Sequence, residues 1–320
     1  MNTESDRGPS EAKRGVDKGG DDVGVDHVAV RRVERRADRV ARSTDPERAS
    51  RLALLGAVAV GAMSMAPLYW ALISSLRPSE DILRYLSPLS IWTFVPNRLT
   101  LDNLFNVLTG PFGRSMFNSA LVALVTIVLG LIICSMAAFA LAKLRLPGKA
   151  AIFSIVIVSF LIPFDAIAVP LLTLFRAVGL QNTYLGIILP GVGNGFAVFM
   201  LRQFFLGVPS ELAEAARIDG LGWFGVFLRI YIPLSGPALI SAGLILFVFQ
   251  WQAFLWPLLI APDPSYKVAA VATADFAGQF STDFGSLFGA TVIVSIVPLV
   301  VLLVFQRYFT ASLASSGTKE

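Results

Sequence analysis

Residues 117–142 read FNSALVALVTIVLGLIICSMAAFALA, a run that contains no Asp, Glu, Lys or Arg. An α-helix needs about 20 apolar residues to cross the hydrocarbon core of a bilayer, and this run is longer than that. Its apolar residues are continuous, whereas the surface helix of a soluble protein would confine them to one face. The run therefore predicts a membrane-spanning helix.

Five further apolar runs flank this one, at residues 52–74, 151–175, 184–206, 238–261 and 287–308. Over all 320 residues the chain is 55% hydrophobic and 15% charged, and its mean hydropathy is +0.69. That composition lies outside the usual range of soluble proteins. We therefore expect an all-α polytopic membrane protein with six transmembrane helices.

Gly and Pro interrupt two of these runs, in FLIPFDAIAVP (160–170) and ILPGVGNGF (188–196). Membrane helices tolerate such breaks where neighbouring groups satisfy the freed backbone N–H and C=O groups. We expect broken helices at both places. Broken helices in a bundle are typical of segments that line a path through the membrane.

Charged residues divide the chain into three parts. Residues 1–50 mix both signs and hold few large apolar side chains, which predicts a disordered, basic cytoplasmic tail. Residues 51–311 form the predicted membrane domain, and residues 312–320 form a short cytoplasmic C-terminal tail. Lys and Arg cluster in the N-terminal tail and directly after the second apolar run, which favours both termini inside the cell. No secretory signal is evident, because the first apolar stretch starts after residue 51.

The formal net charge of the chain is +4 and its pI is about 9.4, and Arg is dense at residues 31–51, next to the first apolar run. A basic tail beside a membrane span suits the lipid bilayer as its partner, and we expect no nucleic-acid partner. The chain has one cysteine, Cys134, within an apolar run, and one histidine, His27, in the polar tail. Since neither has a second ligand beside it, we expect no disulfide and no metal site.

The sequence also lacks the patterns of an enzyme. It contains no G-x-x-x-x-G-K-[ST] phosphate loop, no nucleophile elbow and no paired carboxylates in an apolar setting. We therefore expect a protein that is not an enzyme and binds no cofactor. A membrane enzyme and a non-transporting membrane scaffold stay open as alternatives. A cluster of catalytic acids, bases or metal ligands would indicate a membrane enzyme. Solute uptake that is unimpaired when this chain is deleted would indicate a scaffold.

A polar segment, residues 207–237, separates the fourth and fifth apolar runs. Pro209 and Ser210 predict a helix start, with the Ser210 hydroxyl as its cap, and Gly220 predicts the end. A second helical piece follows and is expected to stop at Pro233. Both pieces are shorter than the about 12–15 residues that an isolated helix needs for stability. They must therefore be stabilised by packing against a partner protein or lipid headgroups.

The spacing within this segment carries a family resemblance. EAA (214–216) is followed after three residues by Gly220, after nine more by Ile230, and then by IP (232–233). The pattern resembles the EAA loop of membrane subunits of ATP-binding-cassette importers. We call residues 209–233 the EAA loop. In that family the loop is a coupling helix that docks on the ATP-hydrolysing subunit and transmits its closure to the spans.

The resemblance extends over most of the chain after residue 52. ARIDG (216–220) and QRYF (306–309) are similar to the carbohydrate branch of the family, as represented by the second maltose-transport permease. By that resemblance, the residues expected to couple this chain to an ATPase subunit are Glu214, Ala215, Ala216, Asp219, Gly220, Ile230 and Pro233.

The resemblance also implies partners and a location. A second six-span permease subunit would complete the translocation path, and two ATP-binding-cassette subunits would use ATP and Mg. An extracytoplasmic solute-binding protein would deliver a sugar or oligosaccharide, and the complex would sit in a bacterial plasma membrane. Another small solute, such as glycerol phosphate, is the alternative within the same class.

Polar residues at membrane depth are candidates for lining the path, because such residues are expensive in hydrocarbon and usually face a cavity. They are Asp165, Asn194, Gln250 and Gln252. The family more often has Asn at the position of Gln252. Alternative interpretations are that Asp165 caps a helix turn and that Asn194 and Gln250 form interhelical hydrogen bonds.

Two tryptophans, Trp251 and Trp256, lie near the end of the fifth apolar run. Indole rings can stack on a sugar ring, but Trp is also enriched at both membrane–water interfaces. The sequence favours the interface interpretation for both residues.

Overall fold

The computed structural model describes residues 46–84, 90–278 and 282–317 of the chain. The predicted N-terminal tail up to residue 45 and the last three residues of the C-terminal tail lie outside this range. The chain divides into two compact units, Met1–Met65 and Ala66–Glu320. Within the described residues the regular structure is helical, apart from one isolated antiparallel bridge between Ala277 and Thr282. The predicted all-α class is therefore confirmed.

The elements of the described residues follow one another as helices joined by short connections. In chain order they are α1 (Pro46–Ser75), α2 (Ser79–Arg84), α3 (Ile91–Phe94), α4 (Asp102–Thr109), α5 (Pro111–Lys143), α6 (Lys149–Leu161), α7 (Phe164–Ala177), α8 (Tyr184–Val192), α9 (Gly195–Gly207), α10 (Ser210–Ile218), α11 (Trp223–Val226), a π-helical turn (Phe227–Tyr231), α12 (Ile232–Leu234), α13 (Gly236–Trp251), α14 (Leu255–Ile260), α15 (Ala269–Ala274) and α16 (Phe284–Gly317).

Three stretches of helix are long and apolar enough to cross a bilayer: Ala53–Ser75, Pro111–Lys143 and Phe284–Arg307. Three further pairs of helices meet the same criterion together but are sharply bent at a short break. The α6–α7 pair is bent by 98°, the α8–α9 pair by 42°, and the pair formed by Trp223–Leu234 and α13 by 84°. The described residues therefore provide three membrane-spanning helices, or up to six if each bent pair is one span.

The predicted apolar runs match this arrangement with one correction. Breaks at 162–163 and 193–194 fall within the two stretches where Gly and Pro predicted them. The prediction of one helix over 238–261 is wrong, because α13 ends at Trp251 and α14 begins only at Leu255. Pro257 explains the break: its ring would collide with the carbonyl of residue 253 in a continuous helix, whereas the first turn of a new helix accommodates it.

Helix α5 is the centre of the unit Ala66–Glu320, and it packs against α8, α9 and α13. Gly130, Cys134 and Ala138 lie four residues apart on its buried face. A Cβ atom on Gly130 would lie 2.9 Å from Leu246 Cδ1 and 3.4 Å from the carbonyl oxygen of Val192. The missing side chain therefore lets α8 and α13 approach α5 closely, as small residues do in membrane bundles.

Contacts from α5 also satisfy the break between α8 and α9. The Cys134 thiol lies 3.5 Å from the carbonyl oxygen of Val192 and 3.6 Å from that of Asn194, in hydrogen-bonding geometry. Asn194 caps α9, since its side-chain oxygen accepts a hydrogen bond from the Ala197 N–H at 2.9 Å. Backbone groups that the break frees thus find partners within the protein, which an apolar environment requires.

The N-terminal half of α5 is fixed by a buried polar clasp around Asn118. Its amide nitrogen donates to the carbonyl oxygens of Ser265 and Lys267, at 3.0 and 2.9 Å. Its amide oxygen accepts a hydrogen bond from the Tyr184 hydroxyl at 2.8 Å. One fully buried side chain thereby joins α5, α8 and the connection before α15.

The first turn of α8 offers a test of how tightly this unit is packed. A Cβ atom on Gly186 would collide with the carbonyl oxygen of Leu180 and lie 3.2 Å from Ile260 Cγ1. We expect Gly186→Ala to lower the free energy of unfolding by about 1–3 kcal/mol, the usual cost of overpacking. Equilibrium unfolding of the purified chain in mixed micelles measures this.

Gly207→Ala is the matched control, because no atom lies within 4 Å of a Cβ atom there. That variant is expected to be neutral or slightly stabilising. Equal stability of the two variants would contradict the packing around α8.

Candidate functional site

The EAA loop forms two helical arms joined at a glycine. The first arm is α10, and Pro209 rather than Ser210 holds its N-cap position, with no side-chain hydrogen bond. The prediction that Ser210 caps this helix is therefore wrong, since Ser210 is already its first residue. Pro209 has φ −52°, and its side chain has no oxygen that could accept a hydrogen bond from the first turn, so the helix begins without a polar cap.

Gly220 ends the first arm, as predicted. The Leu221 N–H donates to the carbonyl oxygen of Ala216 at 3.0 Å, and the Gly220 N–H donates to that of Arg217 at 3.1 Å. This pair of bonds is the Schellman motif, which requires a left-handed residue just past the helix. Gly220 has φ +88°, a conformation that residues with a Cβ atom rarely adopt.

The first arm lies on the membrane domain through its alanines. Ala213 and Ala216, three residues apart, are buried and share an apolar cluster with residues of α5 and α9. Glu214, Ala215 and Asp219 are exposed. The arm therefore presents a charged, largely uncovered face while a small-residue face holds it in place.

The second arm packs around one aromatic side chain of α5. The ring of Phe139 lies 4.9 Å from that of Tyr231, 5.2 Å from Phe227 and 6.4 Å from Trp223, between centroids. Phe205 of α9 completes the group, 6.2 Å from Phe139 and perpendicular to it. We call these five residues the Phe139 cluster. It joins the EAA loop to α5 and α9 through apolar and edge-to-face contacts.

A π-helical turn over Phe227–Tyr231 interrupts the second arm directly before Pro233. The Ile232 N–H donates to the carbonyl oxygen of Phe227, five residues back. Pro233 cannot donate a backbone hydrogen bond, so the ladder changes register where it would otherwise be broken. The helix continues to Leu234, one residue beyond the predicted stop, and the buried Ser235 hydroxyl donates to the Tyr231 carbonyl at the bend.

Lys143 ties the end of α5 to the entry of the EAA loop. Its ammonium donates to the carbonyl oxygen of Val208 at 2.7 Å and lies 5.6 Å from the centre of the Tyr231 ring. A hydrogen bond from a charged donor is roughly twice as strong as a neutral one. Lys143 therefore holds the entry of the EAA loop against the end of α5.

Two further cations close the last turn of α5. Lys149 donates to the carbonyl oxygens of Ala142 and Leu144, at 2.9 and 3.3 Å. Arg202 donates to that of Leu141 at 3.3 Å, and its guanidinium lies 4.0 Å from the centre of the Phe153 ring. These cations satisfy orphan carbonyls and face the negative end of the helix dipole.

A cavity of about 730 Å³ lies between the end of α5 and the first arm of the EAA loop, and we call it the loop cavity. Glu214, Arg217 and Ile218 line one side of it, and residues 143–146 line the other. Arg217 lies 5.1 Å from the centre of the Trp223 ring and donates to the Leu221 carbonyl at 3.4 Å. Ile218 is 87% exposed. Exposed apolar side chains beside a concave, charged surface are typical of a protein-binding site.

A second cavity, of about 620 Å³, lies where the α6–α7 and α8–α9 pairs bend, and we call it the bend cavity. Two of the four predicted path residues, Asp165 and Asn194, line it together. Gln250 and Gln252 are not among its lining residues. Gln250 packs on α8 at Gly191, where its side-chain oxygen would lie only 2.5 Å from an added Cβ atom. Gln252 is exposed.

The two tryptophans contradict the interface interpretation. Trp251 is buried, and its indole N–H donates to the carbonyl oxygen of Val294 at 3.1 Å. Trp256 is buried as well, and it donates to that of Gly186 at 2.9 Å. Both indoles are therefore hydrogen-bonded core residues. Each ring joins two elements of the described unit, and neither is held at the surface of the chain.

The seven predicted coupling residues differ in exposure. Ala216 is buried, Ile230 is half-buried, and the others are exposed. The sequence does not predict the packed residues beneath the loop, which are the Phe139 cluster and the cations Lys143, Lys149 and Arg202. The clustering of Lys and Arg after the second apolar run is a signal for two of these cations, but from the sequence it indicates only orientation.

Gly220 allows a direct test of the turn. No atom lies within 4 Å of a Cβ atom there, so a substitution has room but must adopt a left-handed backbone. We expect Gly220→Val to cost about 1–2 kcal/mol in the free energy of unfolding. Gly220→Asn is expected to cost less, because Asn tolerates that conformation.

Gly222→Val is the control in the same turn, since Gly222 is also uncrowded and has an ordinary φ of −70°. The same unfolding measurement applies to all three variants. A cost for Gly222→Val as large as that for Gly220→Val would overturn the backbone explanation.

The chain is similar to known proteins of one family. Residues 130–315 match the family "Binding-protein-dependent transport system inner membrane component". The chain is 34% identical to the arabinooligosaccharides transport system permease protein AraQ of Halalkalibacterium halodurans, over 84% of this chain and 96% of that one. It is 32% identical to the sn-glycerol-3-phosphate transport system permease protein UgpE of Escherichia coli, over 80% of this chain and 92% of that one.

The fold is also found among solved structures. A chain in the crystal structure of a bacterial ABC transporter involved in the import of the acidic polysaccharide alginate aligns with a TM-score of 0.69 and 24% identity. The alignment covers 83% of this chain and 98% of that one, so the two share a fold. Taken with the family match, this places the chain in a multi-pass membrane fold of known type: it belongs to the binding-protein-dependent transport system inner membrane component family.

Proposed function

We propose that this chain is one of two six-span permease subunits of an ATP-driven importer for a sugar or oligosaccharide. The transport of arabinooligosaccharides by the relative AraQ supports this solute class. The relative UgpE, which acts on sn-glycerol-3-phosphate, supports the alternative of a phosphorylated solute. The proposed partners are a second permease, two ATPase subunits and an extracytoplasmic solute-binding protein.

The observation that carries the proposal is the construction of the EAA loop. Its charged face and Ile218 are uncovered, while its alanines and aromatic residues are packed into the membrane domain. A surface that only rested on lipid headgroups would not need a glycine-capped, rigid arm beside a concave loop cavity. We infer that an ATPase subunit docks there and contacts Glu214, Ala215 and Asp219.

The contacts between the EAA loop and α5 provide the proposed route by which an ATPase subunit would move the spans. A partner can shift a conformational equilibrium only if it contacts the two states differently. Closure of two ATPase subunits on ATP and Mg would move the EAA loop, and the Lys143–Val208 hydrogen bond and the Phe139 cluster would carry that movement into α5. Hydrolysis by the partner subunits would reset the spans. This chain itself would catalyse no reaction.

The bend cavity is the proposed contribution of this chain to the translocation path. It lies at the breaks of two bent pairs, where irregular backbone in a membrane protein usually lines a cavity. Asp165 and Asn194 line it, and we propose that Gln252, which is exposed, and Gln250 lie along the same route towards the second permease.

Orientation is proposed from the cations at the end of α5. Lys143 holds the entry of the EAA loop, and Lys149 and Arg202 close the last turn of α5. The EAA loop must face the cytoplasm if it meets an ATPase, and cytoplasmic segments retain Lys and Arg. The assignment puts both termini in the cytoplasm of a bacterial cell with the chain in its plasma membrane.

Substitution of Ile218 tests the docking surface without disturbing the fold. Because Ile218 is 87% exposed, Ile218→Asp should leave the melting temperature of the chain unchanged. If an ATPase subunit covers it, a buried charge there should weaken association by about 2 kcal/mol or more, roughly 30-fold. Titration of the purified ATPase against the permease in nanodiscs measures the affinity.

Ala150→Asp is the control, since Ala150 is exposed but lies outside the EAA loop. It should retain normal affinity. Unchanged ATPase affinity in both variants would sink the proposed docking surface.

A further inference from the structure

The residues that line the bend cavity indicate which kind of solute it binds. This inference rests on the proposed function. We propose that this cavity is a subsite of this chain for uncharged, hydroxyl-rich solutes such as neutral sugar units, and that it disfavours anionic solutes. The inference concerns charge selectivity, which the relatives leave open, since one of them transports arabinooligosaccharides and another a phosphate ester.

The charge of the lining is the first observation. Asp165 is the one ionisable side chain among the lining residues, and no Lys or Arg is among them. Asp165 is exposed, and no ion pair joins it to another described residue. A site that binds phosphate or carboxylate groups usually presents Arg, Lys or several N–H donors. This cavity therefore presents a carboxyl group that has no ion-pair partner among the described residues.

Hydrogen-bonding capacity is the second observation. The Ser159 hydroxyl already donates to the Val156 carbonyl at 2.8 Å, so it is left with acceptor capacity. The Asn194 side-chain oxygen is occupied by the Ala197 N–H, which leaves its amide nitrogen as a donor. Among the lining side chains, Asp165 and Ser159 therefore offer acceptors and Asn194 offers a donor. A sugar hydroxyl can use both kinds of group, because it donates and accepts, whereas an anionic oxygen can only accept.

Two helix N-termini also meet the cavity and would by themselves favour an anion. Asn194 caps α9 through its side-chain oxygen, whereas α7 has no side-chain cap and carries Asp165 in its first turn. An anion that approached the first turn of α7 would therefore meet the Asp165 carboxyl group as well as the helix N-terminus.

Aromatic walls are the third observation. Phe160, Phe164, Phe249 and Phe254 line the cavity, and each is between 36% and 55% exposed. Phe160 lies perpendicular to Phe249 at 6.2 Å between ring centroids, and Phe164 lies perpendicular to the buried Trp256 at 5.7 Å. Exposed ring faces combined with a few polar groups are typical of ligand pockets of this size. The apolar face of a sugar ring can stack on them while its hydroxyls reach Asp165.

Charge-selective labelling of a cysteine in the cavity tests this inference. The complex is purified with its partners and placed in nanodiscs, with Ser159→Cys as the reporter and Cys134, which is fully buried, left in place. A cationic and an anionic methanethiosulfonate reagent of similar size are compared. We expect the cationic reagent to react on the order of tenfold faster, and Asp165→Asn in the same background to abolish most of that ratio.

Protection experiments then address the solute itself. Arabinotriose in millimolar excess should slow the labelling of Ser159→Cys at least about twofold, as expected for half-occupancy of the site, and sn-glycerol-3-phosphate at the same concentration should not. Ile155→Cys is the control, because Ile155 is exposed on α6 but does not line the bend cavity. Its labelling should show no dependence on Asp165 and no protection by either compound.

Three outcomes would overturn the inference: labelling of Ser159→Cys that is independent of Asp165, protection by sn-glycerol-3-phosphate rather than arabinotriose, or no labelling by either reagent. The last would mean that lipid or the second permease fills the cavity. Each can occur in a complex that still contains its ATPase subunits, so failure here is distinct from failure of the proposed function, which would leave the chain without an ATPase.

Discussion

Every backbone N–H and C=O group in a hydrocarbon environment must find its partner within the protein, and this constraint shapes most of the chain. Unbroken helices meet it automatically, as in the run Pro111–Lys143. Each place where a helix ends or bends needs a specific device. The Asn194 cap and the Cys134 thiol serve the break between α8 and α9, and Lys149 closes the last turn of α5.

The same contacts connect the two proposed functional regions, the EAA loop and the bend cavity. Helix α5 contacts the break between α8 and α9, which borders the bend cavity, through Cys134. It contacts the EAA loop through Phe139 and Lys143. These residues lie on one rigid helix, so displacement at the loop has a continuous packed route to the break. That route is a structural basis for coupling in the proposed importer, and its energetic contribution is what variants of the cluster would measure.

Much of this architecture could be predicted from the sequence, because long apolar runs and Gly–Pro breaks are local signals. Gly220 is a good example, since a left-handed turn demands that residue at that position. The failures were non-local. Trp251 and Trp256 are apolar residues with one polar edge, and only the fold shows that carbonyls of α16 and α8 receive their indole N–H groups. That Asp165 and Asn194 line one cavity likewise depends on two bends whose angles no spacing encodes.

The central claim, that the EAA loop of this chain docks an ATPase subunit, is tested most directly by photo-crosslinking in the native host. A photoreactive amino acid replaces Ala215, which is exposed on the charged face of α10, and the crosslinked partner is identified by mass spectrometry. We expect an ATPase that carries a phosphate loop, with crosslinking that changes when ATP is trapped. Reproducible crosslinks to lipid or to a protein without an ATP-binding site would contradict it.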